Sequence, residues 1–165
     1  MRIRDKPTLF LLLFVLLASI VNLGLSMEIQ SQKVAKETGD IDLLGGCFNE
    51  GGCAVVQSSA QANTFGISNP LYGIVAFSVA ILITLFLLWG QVHPRPRLKA
   101  DRLKIIHILL VLYALGSLMA IRLLFTQYFI LHATCVYCLW VDYLTLSILL
   151  LLAIFFRRTC RVYKA

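Results

Sequence analysis

The chain has 165 residues, 59% of them hydrophobic and 14% charged, with a mean hydropathy of +0.85. Soluble domains carry roughly 45–50% apolar and about 25% charged residues, so neither a soluble globular domain nor a disordered chain fits. The net charge of +7 would suit a nucleic-acid binder only if it were spread over a surface. Instead the basic residues gather at three places, each beside a long apolar stretch, as in a membrane protein whose basic residues report orientation.

Arg2, Arg4 and Lys6 open the chain, and Thr8–Met27 comes next with no charge in 20 positions. A hydrocarbon core of about 30 Å needs about 20 helical residues, so this is the first expected span. Its basic start and Gly24-Leu25-Ser26 also match a cleaved signal peptide. The length of the run, and the even helix number it completes, favour a retained helix. Glu28–Asn69 carries Lys33 and Lys36 against Glu28, Glu37, Asp40, Asp42 and Glu50, a net of −3, and is expected to be an outer loop. Its short apolar run, Ile41, Leu43 and Leu44, would tether that loop at the interface. Pro70–Val92 holds no charge in 23 positions and is the second span. Arg95, Arg97, Lys99, Arg102 and Lys104 fill the next loop. Ile105–Phe125 is the third span, with Arg122 near its end, and Thr126–Thr134 connects it to the fourth, Cys135–Phe156, which holds Asp142. Arg157, Arg158, Arg161 and Lys164 lie beyond it.

Continuous Leu/Ile/Val runs without strand-like alternation favour helices over a barrel, because a backbone in lipid must satisfy its own polar groups. The expected fold is an all-α membrane protein: a four-transmembrane-helix bundle forming one integral membrane domain over 1–165. Its spans fall at about 8–27, 70–92, 105–125 and 135–156, and its outer loop at 28–69. The positive-inside bias of three independent segments puts both termini and the middle loop in the cytoplasm.

On that topology Cys47, Cys53, Cys135 and Cys138 lie outside, where disulfides persist, and Cys160 lies inside among arginines as an ordinary free thiol. Thr134-Cys135-Val136-Tyr137-Cys138 is a C-x-x-C at a helix start, with Thr134 the expected N-cap. First-turn N–H groups and the helix dipole favour negative charge there, which would raise the thiolate fraction of Cys135 for thiol–disulfide exchange. A static disulfide or half a zinc site is the bland alternative. Glycines bracket the other pair, Cys47 and Cys53, and glycine eases backbone rearrangement. That loop could therefore bring its sulfurs to different partners, or simply hold a structural disulfide. Two dithiols at the mouth of a bundle suggest a relay, and the bundle offers an apolar pocket for a lipid-soluble acceptor such as a quinone.

With these residues the sequence resembles the vitamin K epoxide reductase (VKOR) family, in its short form without a fused thioredoxin domain. The likeness rests on four spans, the loop pair Cys47 and Cys53, Ser59 six residues past Cys53, and the C-x-x-C opening the fourth span. It extends over Cys53-Ala54-Val55-Val56-Gln57-Ser58-Ser59, Phe65-Gly66-Ile67 and Leu71-Tyr72-Gly73, and covers roughly residues 8–156. In DsbB-type quinone reductases the C-x-x-C comes first and the loop pair second, the reverse of the order here. The resemblance implies an electron route. A thioredoxin-like (DsbA-like) periplasmic or lumenal thiol protein, acting in trans, would reduce the Cys47/Cys53 pair through Cys47. Cys53 would exchange with Cys135, and Cys138 would deliver electrons to a quinone of ubiquinone, menaquinone or vitamin K type. Ser59 would help shape the quinone pocket. The net result would be disulfide formation in exported proteins; the alternative is a vitamin K epoxide reductase of an animal ER membrane. The tail shows no ER-retrieval ending, which favours a bacterial inner membrane.

Further polar residues are candidates to tune the site. Asp142 lies four residues after Cys138 and so shares its helix face. A carboxyl inside a span is costly and usually functional or paired, so Asp142 is expected either to relay protons during quinol formation or to bond another helix. Some family members carry a quinone-contacting tyrosine at this offset, and Asp142 departs from it; Tyr137 and Tyr143 are nearby alternatives. Arg122 could stabilise a thiolate or quinolate, pair with Asp142, or snorkel to headgroups. His132, three residues before Cys135, would favour its thiolate as an imidazolium. Phe65 could stack on a quinone ring or join Tyr128, Phe129 and Trp140 in an interfacial aromatic belt. His93 and His107 are expected to be structural.

Two other classes compete. A Cys₄ zinc site would use the same four sulfurs, but the five-residue spacer between Cys47 and Cys53 is loose for it. A small multidrug-type transporter needs an acidic residue in the early spans, and none occurs there.

Overall fold

The computed structural model describes residues 6–39, 52–92 and 98–164, with side chains over 8–39, 52–90 and 104–157. Four long helices carry it: α1 (Lys6–Thr38), α3 (Asn69–Val92), α4 (Leu98–Phe125) and α5 (Val136–Lys164). Each holds a segment long and apolar enough to cross a membrane: Thr8–Thr38, Asn69–Gly90, Lys104–Ile130 and Val136–Arg157. Between α1 and α3 lie the short helix α2 (Gly52–Ser58), a 3₁₀ turn (Ala60–Ala62), and a hairpin of β1 (Asn63–Thr64) and β2 (Ile67–Ser68). The protein is therefore an all-α four-span membrane protein with an irregular segment after the first helix.

The bundle closes as a ring, α1 against α3, α3 against α4, α4 against α5, and α5 back against α1. Lipid supplies no hydrophobic drive between helices, so association rests on packing and interhelical hydrogen bonds. The half of the bundle that holds the start of α1 and the end of α5 is apolar, with Leu12, Val15, Leu109, Ile148 and Leu152 buried together. Above it lies a polar layer. Ser19 and the Tyr113 hydroxyl share a hydrogen bond at 2.6 Å, and Asn22 donates to Thr145 at 3.3 Å. Each such bond contributes about 0.6–2 kcal/mol in a membrane. Since α1 supplies the fully buried Val15, Ser19 and Asn22, it is part of the bundle core.

The first helix does not stop at Met27. It runs on to Thr38, with Gly39 at φ +77 just beyond it. The added turns are rich in good helix formers (Glu28, Gln32, Lys33, Ala35, Lys36 and Glu37), and Gln32 donates to Glu28 one turn back. This extension is a post on which α2 and the hairpin lean. Lys33 Nζ donates to Asn63 Oδ1 of the hairpin at 2.7 Å, Ser68 Oγ donates to Gln30, and Lys36 Nζ reaches the Ala54 carbonyl of α2 at 3.4 Å. The third long helix, α4, likewise continues past Phe125 as a π-helical turn, Thr126–Ile130.

Candidate functional site

Three cysteines meet where α2 rests on the start of α5. Cys53 and Cys135 are both fully buried in one cluster with Ile29 and Val56, and Leu131, Ala133, Tyr137, Cys138 and Val141 pack around it. Cys53 is disulfide-bonded. Cys135 and Cys138 are free thiols, so neither is its partner. The helix pair is thus reduced while the loop sulfur is oxidised. Cys47 lies outside the described residues, as do Ile41, Leu43 and Leu44, and the side chain of Cys160 lies outside them too.

The approach of α2 to α5 is set at Gly52. A Cβ there would collide with the Thr134 carbonyl, so only glycine lets the backbone before Cys53 lie against the backbone before Cys135.

The helix cap differs from the sequence expectation. Cys135, not Thr134, is the N-cap of α5: its carbonyl accepts the first helical bond, from Leu139 N at 2.9 Å, and Thr134 is exposed. Gln127 Oε1, buried in the π turn, accepts the Cys135 N–H at 2.9 Å and fixes this register. The Cys135 thiol is pulled below its ordinary range, first by a hydrogen bond from the Cys138 side chain. Burial opposes this, and the backbone N–H groups of Cys138 and Tyr137 add to the lowering. The expected activation of Cys135 is therefore present, but its main source is the neighbouring thiol, with the helix-end N–H groups second to it.

The other expected site residues divide. Asp142 is buried one turn below Cys138, and its Oδ2 has no partner. Ser59 is half-buried and bonds Val56 O at 2.7 Å, closing the end of α2. Arg122 is exposed and does not pair with Asp142; it donates to Thr64 Oγ1 of the hairpin at 3.0 Å. Phe65 stands 96% exposed at the hairpin tip with φ +53 and lines no part of the cysteine cluster. His132 has φ +47 in the turn before α5. Two residues that the sequence reading passed over touch the cysteines directly. Gln127 holds the Cys135 N–H, and Gln57 Nε2 donates to Cys138 Sγ at 3.3 Å. Among the described residues no cluster of three or more His, Cys, Asp or Glu is placed to hold a metal.

A four-span bundle that seats an oxidised loop cysteine on a reduced C-x-x-C is a membrane thiol protein. Its family comes from sequence comparison: the model of the Vitamin K epoxide reductase family matches residues 12–153, and the chain belongs to that family. Members of the family are generally quinone-reducing thiol oxidoreductases. Comparison with curated proteins and with solved structures gives no match.

Proposed function

We propose that this protein is a membrane thiol oxidoreductase that relays electrons from a thioredoxin-like protein, through two cysteine pairs, to a membrane quinone, and so drives disulfide formation in exported proteins. The observation that carries the reading is the shared burial of Cys53, already in a disulfide, with Cys135, still a thiol. Exchange joins a thiolate on one side to a disulfide on the other and is reversible; an oxidised loop sulfur beside a reduced helix pair is the state the relay reaches once the loop has passed its electrons on. A sulfur committed to a disulfide is no thiolate ligand, which argues against a Cys₄ zinc site.

In this reading Cys47 pairs with Cys53 and takes electrons from the partner protein, Cys53 passes them to Cys135, and Cys138 faces the acceptor. A quinone has an apolar ring with two carbonyl oxygens. Two buried polar groups without partners suit such a molecule, the Ser117 hydroxyl and the Asp142 carboxyl in its acid form. Ser117 and Asp142 are the candidates to donate a proton to its oxygens. The quinone accepts two electrons and two protons; the protein supplies placement and polarity. Ser59 supports the pocket by holding the end of α2, and Arg122 supports the hairpin above it. The basic segments around residues 2–6, 95–104 and 157–164 support an orientation with the cysteine cluster on the non-cytoplasmic side.

The test is single-cysteine replacement with quinone reduction as the readout. Cys138→Ser should abolish turnover even with a small dithiol as donor. Cys47→Ser should block a protein donor while a small dithiol still works. Turnover that survives loss of either Cys135 or Cys138 would end this reading. Turnover with vitamin K epoxide but no quinone would shift it to the epoxide reductase.

A further inference from the structure

Gln57 lies four residues after Cys53 on α2, so the two share a side of that short helix. It is 7% exposed. Its Nε2 gives a hydrogen to Cys138 Sγ at 3.3 Å, and its Oε1 is left without a partner. A buried amide with an empty acceptor costs free energy, and this one directs its donor at a sulfur. An amide N–H is the complement of a thiolate, which can only accept. Lys33 and Arg122 bond the hairpin instead, Lys33 to Asn63 and Arg122 to Thr64. The remaining polar neighbours of Cys138 are Cys135 and Asp142, and Asp142 Oδ2 makes no hydrogen bond.

We propose that Gln57 is a catalytic hydrogen-bond donor that stabilises the Cys138 thiolate during exchange between the loop pair and the helix pair; this rests on the relay proposed above. In that exchange the Cys53 thiolate attacks Cys135 of an oxidised Cys135–Cys138 disulfide. The Cys53–Cys135 bond forms, the Cys135–Cys138 bond breaks, and Cys138 leaves with the electron pair as a thiolate. Charge moves from Cys53 to Cys138, and no proton or outside oxidant enters. Exchange is faster when the leaving sulfur holds negative charge well. Cys135 is by then tied into the mixed disulfide and cannot share that charge. Gln57 arrives on the same helix as the attacking sulfur, so the docking of α2 delivers both the nucleophile and the donor for its leaving group.

The moment can be imitated with Cys135→Ala in the full-length protein in membranes, which leaves Cys138 as the sole thiol of the helix pair. The measurement is the rate at which a small uncharged maleimide alkylates Cys138 at neutral pH, read on its peptide by mass spectrometry. Adding Gln57→Met should slow labelling roughly tenfold, the scale of a hydrogen bond to a charged group. Gln57→Glu, equal in shape but without the donor, should slow it at least as much. A residue that only packs would act in the opposite sense, because a loosened α2 exposes Cys138 and speeds labelling. Unchanged or faster labelling in Gln57→Met, or wild-type labelling in Gln57→Glu, overturns the proposal. The assay uses neither quinone nor partner protein. Slowed labelling in a protein that fails the quinone test would leave the Gln57–Cys138 interaction standing and remove only the relay around it.

Discussion

Cys135 owes its low thiol range to a single side chain more than to its helix. The Cys138 thiol is the largest cause, burial opposes it, and the two backbone N–H groups contribute less than either. Removing that side chain should therefore leave burial the largest single cause. In Cys138→Ala the pH midpoint for alkylation of Cys135 should rise toward that of a free cysteine, about 8.5. Since the thiolate is the reactive form, labelling near neutral pH should slow about tenfold. Cys138→Ser keeps a hydroxyl donor and should retain most of the wild-type rate. Alkylation of both variants across the neutral and alkaline range checks this; a midpoint unmoved by Cys138→Ala would assign the activation to the backbone instead. The sequence located this residue because a C-x-x-C at a helix start is a local pattern. It misplaced the cap because the register depends on Gln127, upstream in a π turn, and nothing in residues 134–138 announces that bond.

At the scale of elements, the four spans were legible because about twenty apolar residues in a row admit one explanation in lipid. The extension of α1 was not, since charge balance reads residues 28–38 as merely outside the membrane. The helix formers there and Gly39 after them were the available signal. What the extension supports was beyond local reading altogether: Lys33 to Asn63 and Lys36 to Ala54 join residues 30 and 18 apart in sequence. The seating of α2 yields a prediction. In Gly52→Ala the new methyl would collide with the Thr134 carbonyl, and backbone can yield only by moving α2, an overpacking that costs about 1–3 kcal/mol. Cys53 then withdraws from Cys135, while the helix pair stays intact. Reduction of quinone by a small dithiol should persist, and reduction by a protein donor that must enter through the loop should fall at least about tenfold, the equivalent of roughly 1.4 kcal/mol. Equal loss with both donors would mean that α2 holds the whole site together rather than serving the transfer from Cys53.

The whole molecule is polarised along its axis. The cysteine cluster and the polar layer of Ser19, Asn22, Tyr113 and Thr145 occupy one half, and the apolar packing of Leu12, Val15, Leu109, Ile148 and Leu152 closes the other. A site built this way opens toward one face only, so its function depends on which compartment that face meets. Disulfides persist outside the cytosol and are reduced within it. The clustering of basic residues in sequence before α1, around the start of α4 and after the apolar part of α5 predicts the former. Ser58, on α2, and Arg157, late in α5, mark the two ends. A membrane-impermeant maleimide applied to intact cells should label Ser58→Cys and should reach Arg157→Cys only after the membrane is opened. The native Cys53 and Cys135, fully buried, should give little background. The reverse pattern would set the cluster in a reducing compartment, where Cys53 could not stay oxidised against the thiol pool, and the direction of electron flow proposed here would have to be turned round.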